Sequence, residues 1–120
     1  MHEIGIANSI LEAVSMEMAH RPGSVPRTVG VRIGELSAVD PDALRFAFEV
    51  LRKETGLATL ELRIEMCPRR HLCPNCHFEF TVVEFDACCP ECRHASTKCI
   101  GGDQLEVAYF ELEEHEPDTA

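Results

Sequence analysis

The chain has 120 residues, 45% hydrophobic and 27% charged. That balance excludes a disordered or collagenous protein and suits a single small core with one lobe held by other means. Its 21 acidic and 11 basic residues give a formal net charge of −10, the wrong sign for a nucleic-acid binder. The longest apolar run, Val107 to Phe110, spans four residues, against about 20 for a membrane-spanning helix. Neither nucleic acid nor a membrane is expected as partner. Met1-His2-Glu3 shows no basic or apolar leader pattern, so a cytoplasmic location is expected.

Ile4, Ala7, Leu11, Val14 and Met18 recur at helical spacing, with Ile10 beside them, and predict a helix over 4–20 that Arg21-Pro22-Gly23 ends. Residues 28–36 read as a strand, with Val29, Val31 and Ile33 on one face and Thr28 and Arg32 on the other. Gly30 and Gly34 leave room there for close backbone packing. Asp40-Pro41 starts a second helix, with Asp as N-cap and Pro at the first position. It runs through Leu44, Ala47, Phe48 and Leu51, with Phe46 and Val50 widening its apolar face, and Gly56 stops it. Over 59–66, Leu60, Leu62, Ile64 and Met66 alternate with polar residues, the mark of a half-buried strand. A last strand over about 104–113 begins with Leu105, Val107 and Tyr109, then slips to Phe110 and Leu112, which suggests a bulge.

All seven cysteines fall within 67–102. Cys73-Pro-Asn-Cys76 and Cys89-Pro-Glu-Cys92 are two knuckles, each aiming two thiolates at one point, and together they complete a tetrahedral four-sulfur site. Zinc is the expected ion; iron is the other metal that such a site suits. Phe78, Phe80, Val82, Val83 and Phe85 would supply the apolar cover of a hairpin. A lobe this small needs the metal to fold. Cys67, Cys88 and Cys99 are left over, Cys67 and Cys99 reading most simply as small buried thiols. The fold class expected is α/β, two helices packed on a small three-stranded sheet, with an inserted zinc-ribbon-like lobe. Residues 1–66 plus 103–120 would form the α/β domain and 67–102 the lobe.

A second constellation lies at Met1-His2-Glu3. The Met1 amine, the His2 amide and the His2 imidazole can close adjacent chelate rings on one cation, an arrangement that suits Ni(II) or Cu(II). A solvated terminal histidine is the simpler reading of the same residues. Glu3 can serve the positive end of the helix or orient a metal. His71, His77 and His94 are candidates for a further ligand, and His115 lies in an acidic tail. The carboxylate pairs Asp40/Asp42 and Glu113/Glu114 do not suggest acid–base catalysis, and no Gly-rich phosphate loop is present, so no enzyme is indicated.

Met1-His2-Glu3, Ile33-Gly34-Glu35-Leu36-Ser37, the run Asp40 to Glu49 and the paired knuckles together resemble the HypA/HybF family of hydrogenase nickel-incorporation proteins over about residues 1–114. The resemblance implies a nickel metallochaperone with a nickel-binding α/β domain and a zinc lobe. It implies transient Ni(II) held by His2, with the Met1 amine and the backbone around Glu3 assisting, and structural Zn(II) on Cys73, Cys76, Cys89 and Cys92. It also implies a HypB-type GTPase and the [NiFe]-hydrogenase large subunit as partners, and in some organisms the urease maturation proteins. The alternative is a zinc-ribbon nucleic-acid-binding or protein-interaction module. Four acids balance four bases in 67–102, and a zinc tetrathiolate adds further negative charge, which disfavours phosphate.

Overall fold

The computed structural model describes residues 2–114, the side chain of Glu114 excepted. Helix α1 spans Glu3–Ala19 and α2 spans Pro41–Glu54. The strands are β1 (Ser24–Gly34), β2 (Glu61–Cys67), β3 (Arg70–Leu72), β4 (Glu79–Thr81), β5 (Lys98–Gly101) and β6 (Leu105–Glu114), with a 3-10 turn at Glu35–Ser37. They form two three-stranded sheets, ordered β2-β1-β6 and β4-β3-β5. The chain divides into two compact units. One holds the chain up to Val31, Val39–Glu65 and the chain from Val107; the other holds Arg32–Ala38 and Met66–Glu106.

In the first unit α1 buries Ile6, Ala7, Ile10, Leu11 and Val14. Ile4, expected in that stripe, is 66% exposed. Helix α2 buries Leu44, Ala47 and Phe48. Phe46 and Val50 do not widen this face; they are 71% and 47% exposed. The helical repeat explains Phe46, which stands about 160° around the axis from both Leu44 and Phe48. The ends of α2 are built as the sequence suggested. Asp40 Oδ1 accepts from the Asp42 and Ala43 amides at 2.9 and 3.4 Å, a cap worth about 1 kcal/mol. At the far end the Leu57 amide donates to Arg52 O at 3.1 Å, around Gly56 at φ +76°, a turn that L-residues enter at a cost.

Two arginines of α2 reach β2 and the residue just before it. Arg45 Nη1 donates to Leu62 O at 2.8 Å and Arg52 Nη1 to Leu60 O at 2.7 Å. Leu60 and Leu62 are buried, whereas Met66, which already belongs to the second unit, is exposed. Along β1, Thr28, Val29, Gly30 and Val31 are buried in succession, so the expected outward face of Thr28 is covered. This strand lies between β2 and β6. A Cβ on Gly30 would collide with the ring of Tyr109 on β6, so only glycine permits that covering. Arg27 pairs with Glu113, and Arg63 with Glu111 at 3.1 Å and Glu61 at 3.5 Å. On β6 the half-buried residues are Val107, Phe110 and Leu112; the burial changes phase where the sequence pattern slips.

In the second unit β3 is central. It pairs antiparallel with β4 (His71 opposite Phe80) and with β5 (His71 opposite Cys99). Cys73, Phe80, Val82 and Cys89 form its core, with Ala87 and Cys92 packed against them. Of the expected apolar cover only Phe80 and Val82 are buried; Phe78 and Val83 are exposed, and Phe85 is 88% exposed. For Val83 and Phe85 a tight turn is the reason. The Asp86 amide donates to Val83 O at 3.1 Å, and Glu84 and Phe85 between them take φ of +52° and +63°, the two-residue hairpin geometry. Glu35 Oε2 accepts the Arg69 amide at 3.0 Å, and the Gly34 amide donates to Gln104 O at 2.6 Å.

Candidate metal centres

The two knuckles adopt one conformation twice. The Cys73 and Cys89 amides donate to Phe78 O and His94 O, each at 3.0 Å. The His77 and Arg93 amides return to Cys73 O and Cys89 O, each at 2.9 Å. Each turn closes through a residue of positive φ, His77 at +65° and Arg93 at +67°. The first cysteine of each knuckle is buried, Cys76 is exposed and Cys92 half-buried.

The four Sγ atoms lie within 4.8 Å of one another. The close approaches join one knuckle to the other: Cys73 to Cys92 at 3.4 Å and Cys76 to Cys89 at 3.6 Å. Thiolates about 2.3 Å from a tetrahedral zinc stand about 3.8 Å apart, so the cluster fits a structural zinc site. The thiols are unequal. The Asn75 side chain and the His94 amide stabilise the Cys92 thiolate and bring its pKa down to about 6. At Cys76 the Phe78 amide favours the thiolate, but desolvation and the neighbouring thiols outweigh it and push the pKa up to about 12. Cys92 therefore offers a thiolate to an arriving cation, and Cys76 gives up its proton as the metal binds.

Beside this cluster runs a chain of hydrogen bonds that sequence reasoning missed. Arg69 Nε donates to His71 Nε2 at 2.9 Å, His71 Nδ1 meets Thr97 Oγ1 at 2.8 Å, and Thr97 donates to Ala87 O at 2.5 Å. The direction of the chain makes His71 a neutral imidazole with its proton on Nδ1. Desolvation and then Arg69 hold its pKa below the ordinary value. Both ring nitrogens are used, so His71 has no lone pair for a metal. His77 and His94 are exposed and serve the knuckles through their backbones. Cys67, Cys88 and Cys99 stand outside the four-sulfur group: Cys67 is half-buried, Cys88 Sγ donates to Arg93 O at 3.3 Å, and the exposed Cys99 donates to Gly101 O at 3.4 Å. Asn75 was also missed, although its place inside a knuckle was the available signal.

In the first unit His2 is the N-cap of α1, extended at φ −79° and ψ 140°, and its side chain makes no capping bond. It is exposed. The first turn closes from its carbonyl, which accepts the Ile6 amide at 3.2 Å. Glu3 Oε1 accepts the Asp40 amide at 3.2 Å, so the start of α1 is tied to the N-cap residue of α2. Asp40 itself is the cap that its sequence context suggested. Met1 and His115 lie outside the described residues.

Comparison with known proteins adds the family. The model described as hydrogenase/urease nickel incorporation, metallochaperone, HypA matches residues 1–112. The hydrogenase maturation factor HypA of Desulfatibacillum aliphaticivorans is 36% identical over 117 residues, 97% of this chain and 90% of that one. HypA of Solidesulfovibrio magneticus is 38% identical over 117 residues, 94% of this chain and all of its own. The solution structure of the nickel metallochaperone HypA from Helicobacter pylori has the same fold, with a TM-score of 0.64 at 23% identity, covering 96% of this chain and 100% of that one. Among the described residues no helix is long and apolar enough to cross a membrane. The chain is a member of the HypA family of nickel metallochaperones that serve hydrogenase maturation.

Proposed function

We propose that this chain carries Ni(II) as cargo at its N-terminal tripeptide and performs no turnover of its own. The Met1 amine, the His2 amide and imidazole, and the backbone at Glu3 hold the ion, while Cys73, Cys76, Cys89 and Cys92 hold a resident zinc. Residues 1–66 with 103–120 form the nickel-handling domain and 67–102 the zinc lobe. Zinc supplies folding energy and, with four sulfur ligands, has no open position for chemistry. The carrier works in the cytoplasm with a HypB-type GTPase and delivers to the [NiFe]-hydrogenase large subunit; the family description extends the same delivery to urease.

The observation that carries this reading is the exposed His2 at the head of α1, its ring capping nothing. The amides of Glu3, Ile4 and Gly5 precede the first intrahelical bond, so deprotonating one to bind nickel breaks no helical hydrogen bond. Glu3 supports the site through the Asp40 amide, which fixes the direction in which the chain enters the helix. Its side chain then orients the terminus while its backbone is free to ligate.

The test is calorimetric titration of the zinc-loaded chain with nickel. His2→Ala should abolish tight binding. One residue added ahead of Met1 should weaken it with His2 still present, because the amine is displaced from the chelate. Native affinity in the extended protein would remove the amine from the ligand set, and native affinity in His2→Ala would move the site elsewhere. Zinc content by elemental analysis should stay at about one per chain in both and fall in Cys73→Ala.

A further inference from the structure

The four sulfurs differ in what a molecule approaching from solvent can reach. Cys73 and Cys89, the first cysteine of each knuckle, are fully buried, while Cys76 is exposed and Cys92 half-buried. Only the second cysteine of each knuckle meets a reagent directly. The backbone treats these two alike. Cys76 Sγ accepts the Phe78 amide and Cys92 Sγ the His94 amide, each from two residues farther along. The side chains do not. Asn75 Nδ2 donates to Cys92 Sγ at 3.5 Å, crossing from the first knuckle to the second. The matching place in the second knuckle is Glu91, which is exposed, and a carboxylate has no proton to give to Cys76. The repeat of the two knuckles is thus broken at its third residue, and Cys92 receives a side-chain donor that Cys76 lacks.

Negative charge on sulfur makes a thiolate both a metal ligand and a nucleophile. An N–H aimed at that sulfur holds part of the charge, and the bond weakens when the sulfur forms a new one. Hydrogen bonds to the ligands tune a metal site in this way. Between two sulfurs with the same backbone partner, the one without the extra donor reacts first. Exposure acts in the same direction, because Cys76 is the more open of the two.

We infer that Asn75 is a positioning residue of the four-sulfur centre, its side-chain N–H shielding Cys92 so that alkylating electrophiles open the zinc site at Cys76. In that step the Cys76 sulfur attacks the methylene carbon of iodoacetamide. An S–C bond forms, the C–I bond breaks and iodide leaves, and the sulfur becomes a neutral thioether that holds zinc poorly. The inference rests on zinc at the four cysteines. The experiment treats the zinc-loaded full chain with iodoacetamide, a neutral reagent that added charge does not steer. Tandem mass spectrometry places each label, and a chromogenic chelator follows the released zinc. Cys88→Ser is run beside the unsubstituted chain, because a label on Cys88 would adjoin Cys89. In both, chains with one label among the four ligand cysteines should carry it at Cys76. Asn75→Ala, and Asn75→Asp, which keeps the shape but cannot donate, should raise the Cys92 rate about fivefold while the Cys76 rate changes much less. Equal labelling of Cys76 and Cys92 in the unsubstituted chain, or an unchanged Cys92 rate in both Asn75 variants, overturns the inference. Labels on Cys73 and Cys89 from the outset, or Asn75 variants that no longer bind zinc, overturn it too, since Asn75 would then hold the knuckles together rather than shield one sulfur. Zinc retained in Cys73→Ala would remove the zinc reading itself, a result distinct from all of these.

Discussion

His77 and Arg93 occupy matching places in the two knuckles, and each holds a left-handed backbone conformation that costs a non-glycine residue roughly 1–2 kcal/mol. Both side chains are exposed. If they act only through their backbones, His77→Gly and Arg93→Gly should each stabilise the second unit, by about 1 kcal/mol or somewhat less once the added freedom of the unfolded chain is counted. Thermal melting with zinc bound would show it; a fall in zinc affinity instead would give the side chain a role at the metal. His71 differs, being enclosed by Arg69 and Thr97. His71→Phe should cost about 2–3 kcal/mol by stranding both partners, yet leave the zinc and nickel stoichiometries at their original values in elemental analysis and calorimetry. Nothing in the spacing of histidines distinguishes His71 from His77 or His94. The difference lies in strand register, since β3 turns His71 into the sheet opposite Phe80, and register is a long-range property.

At the scale of elements, α2 was legible at its ends because caps are local chemistry: Asp40, Pro41 and Gly56 state their roles in single letters. Its face was less legible. Apolar periodicity gives the direction of a stripe but not its width, and Phe46 and Val50 are apolar for a surface that the fold leaves uncovered. The lobe divides similarly. Twin Cys-Pro-x-Cys spacing located the four-sulfur cluster, while the Glu84-Phe85 turn went unseen because neither residue is a usual turn former. The lobe core contains only Phe80 and Val82 besides its cysteines and Ala87. Removing zinc with a chelator should therefore melt β3, β4 and β5, with hydrogen exchange accelerating across Met66–Glu106 and α1 and α2 retaining protection. Protection that persists in the lobe after complete metal removal would show that apolar burial alone supports it.

For the molecule as a whole, α/β class and a separate metal lobe followed from composition and element order, because an acidic chain with clustered cysteines has few ways to build a core. Among the described residues the pairing β2-β1-β6 leaves β2 with one neighbour, and a strand so placed offers its free carbonyls to any extended peptide. Arg45 occupies an acceptor on this strand, Leu62 O, and Arg52 takes Leu60 O just before it. Their hydrogen bonds thus do more than hold a helix: they keep both carbonyls from any other donor. In Arg45→Ala with Arg52→Ala the same carbonyls become vacant, and the loss of positive charge does not compensate. Light scattering at rising protein concentration should then reveal association that the unsubstituted chain lacks, with zinc and nickel stoichiometry intact; an unchanged mass would mean that the edge is guarded by other means. The two side chains that tie α2 to the chain entering β2 would thereby also keep that chain from recruiting its own kind.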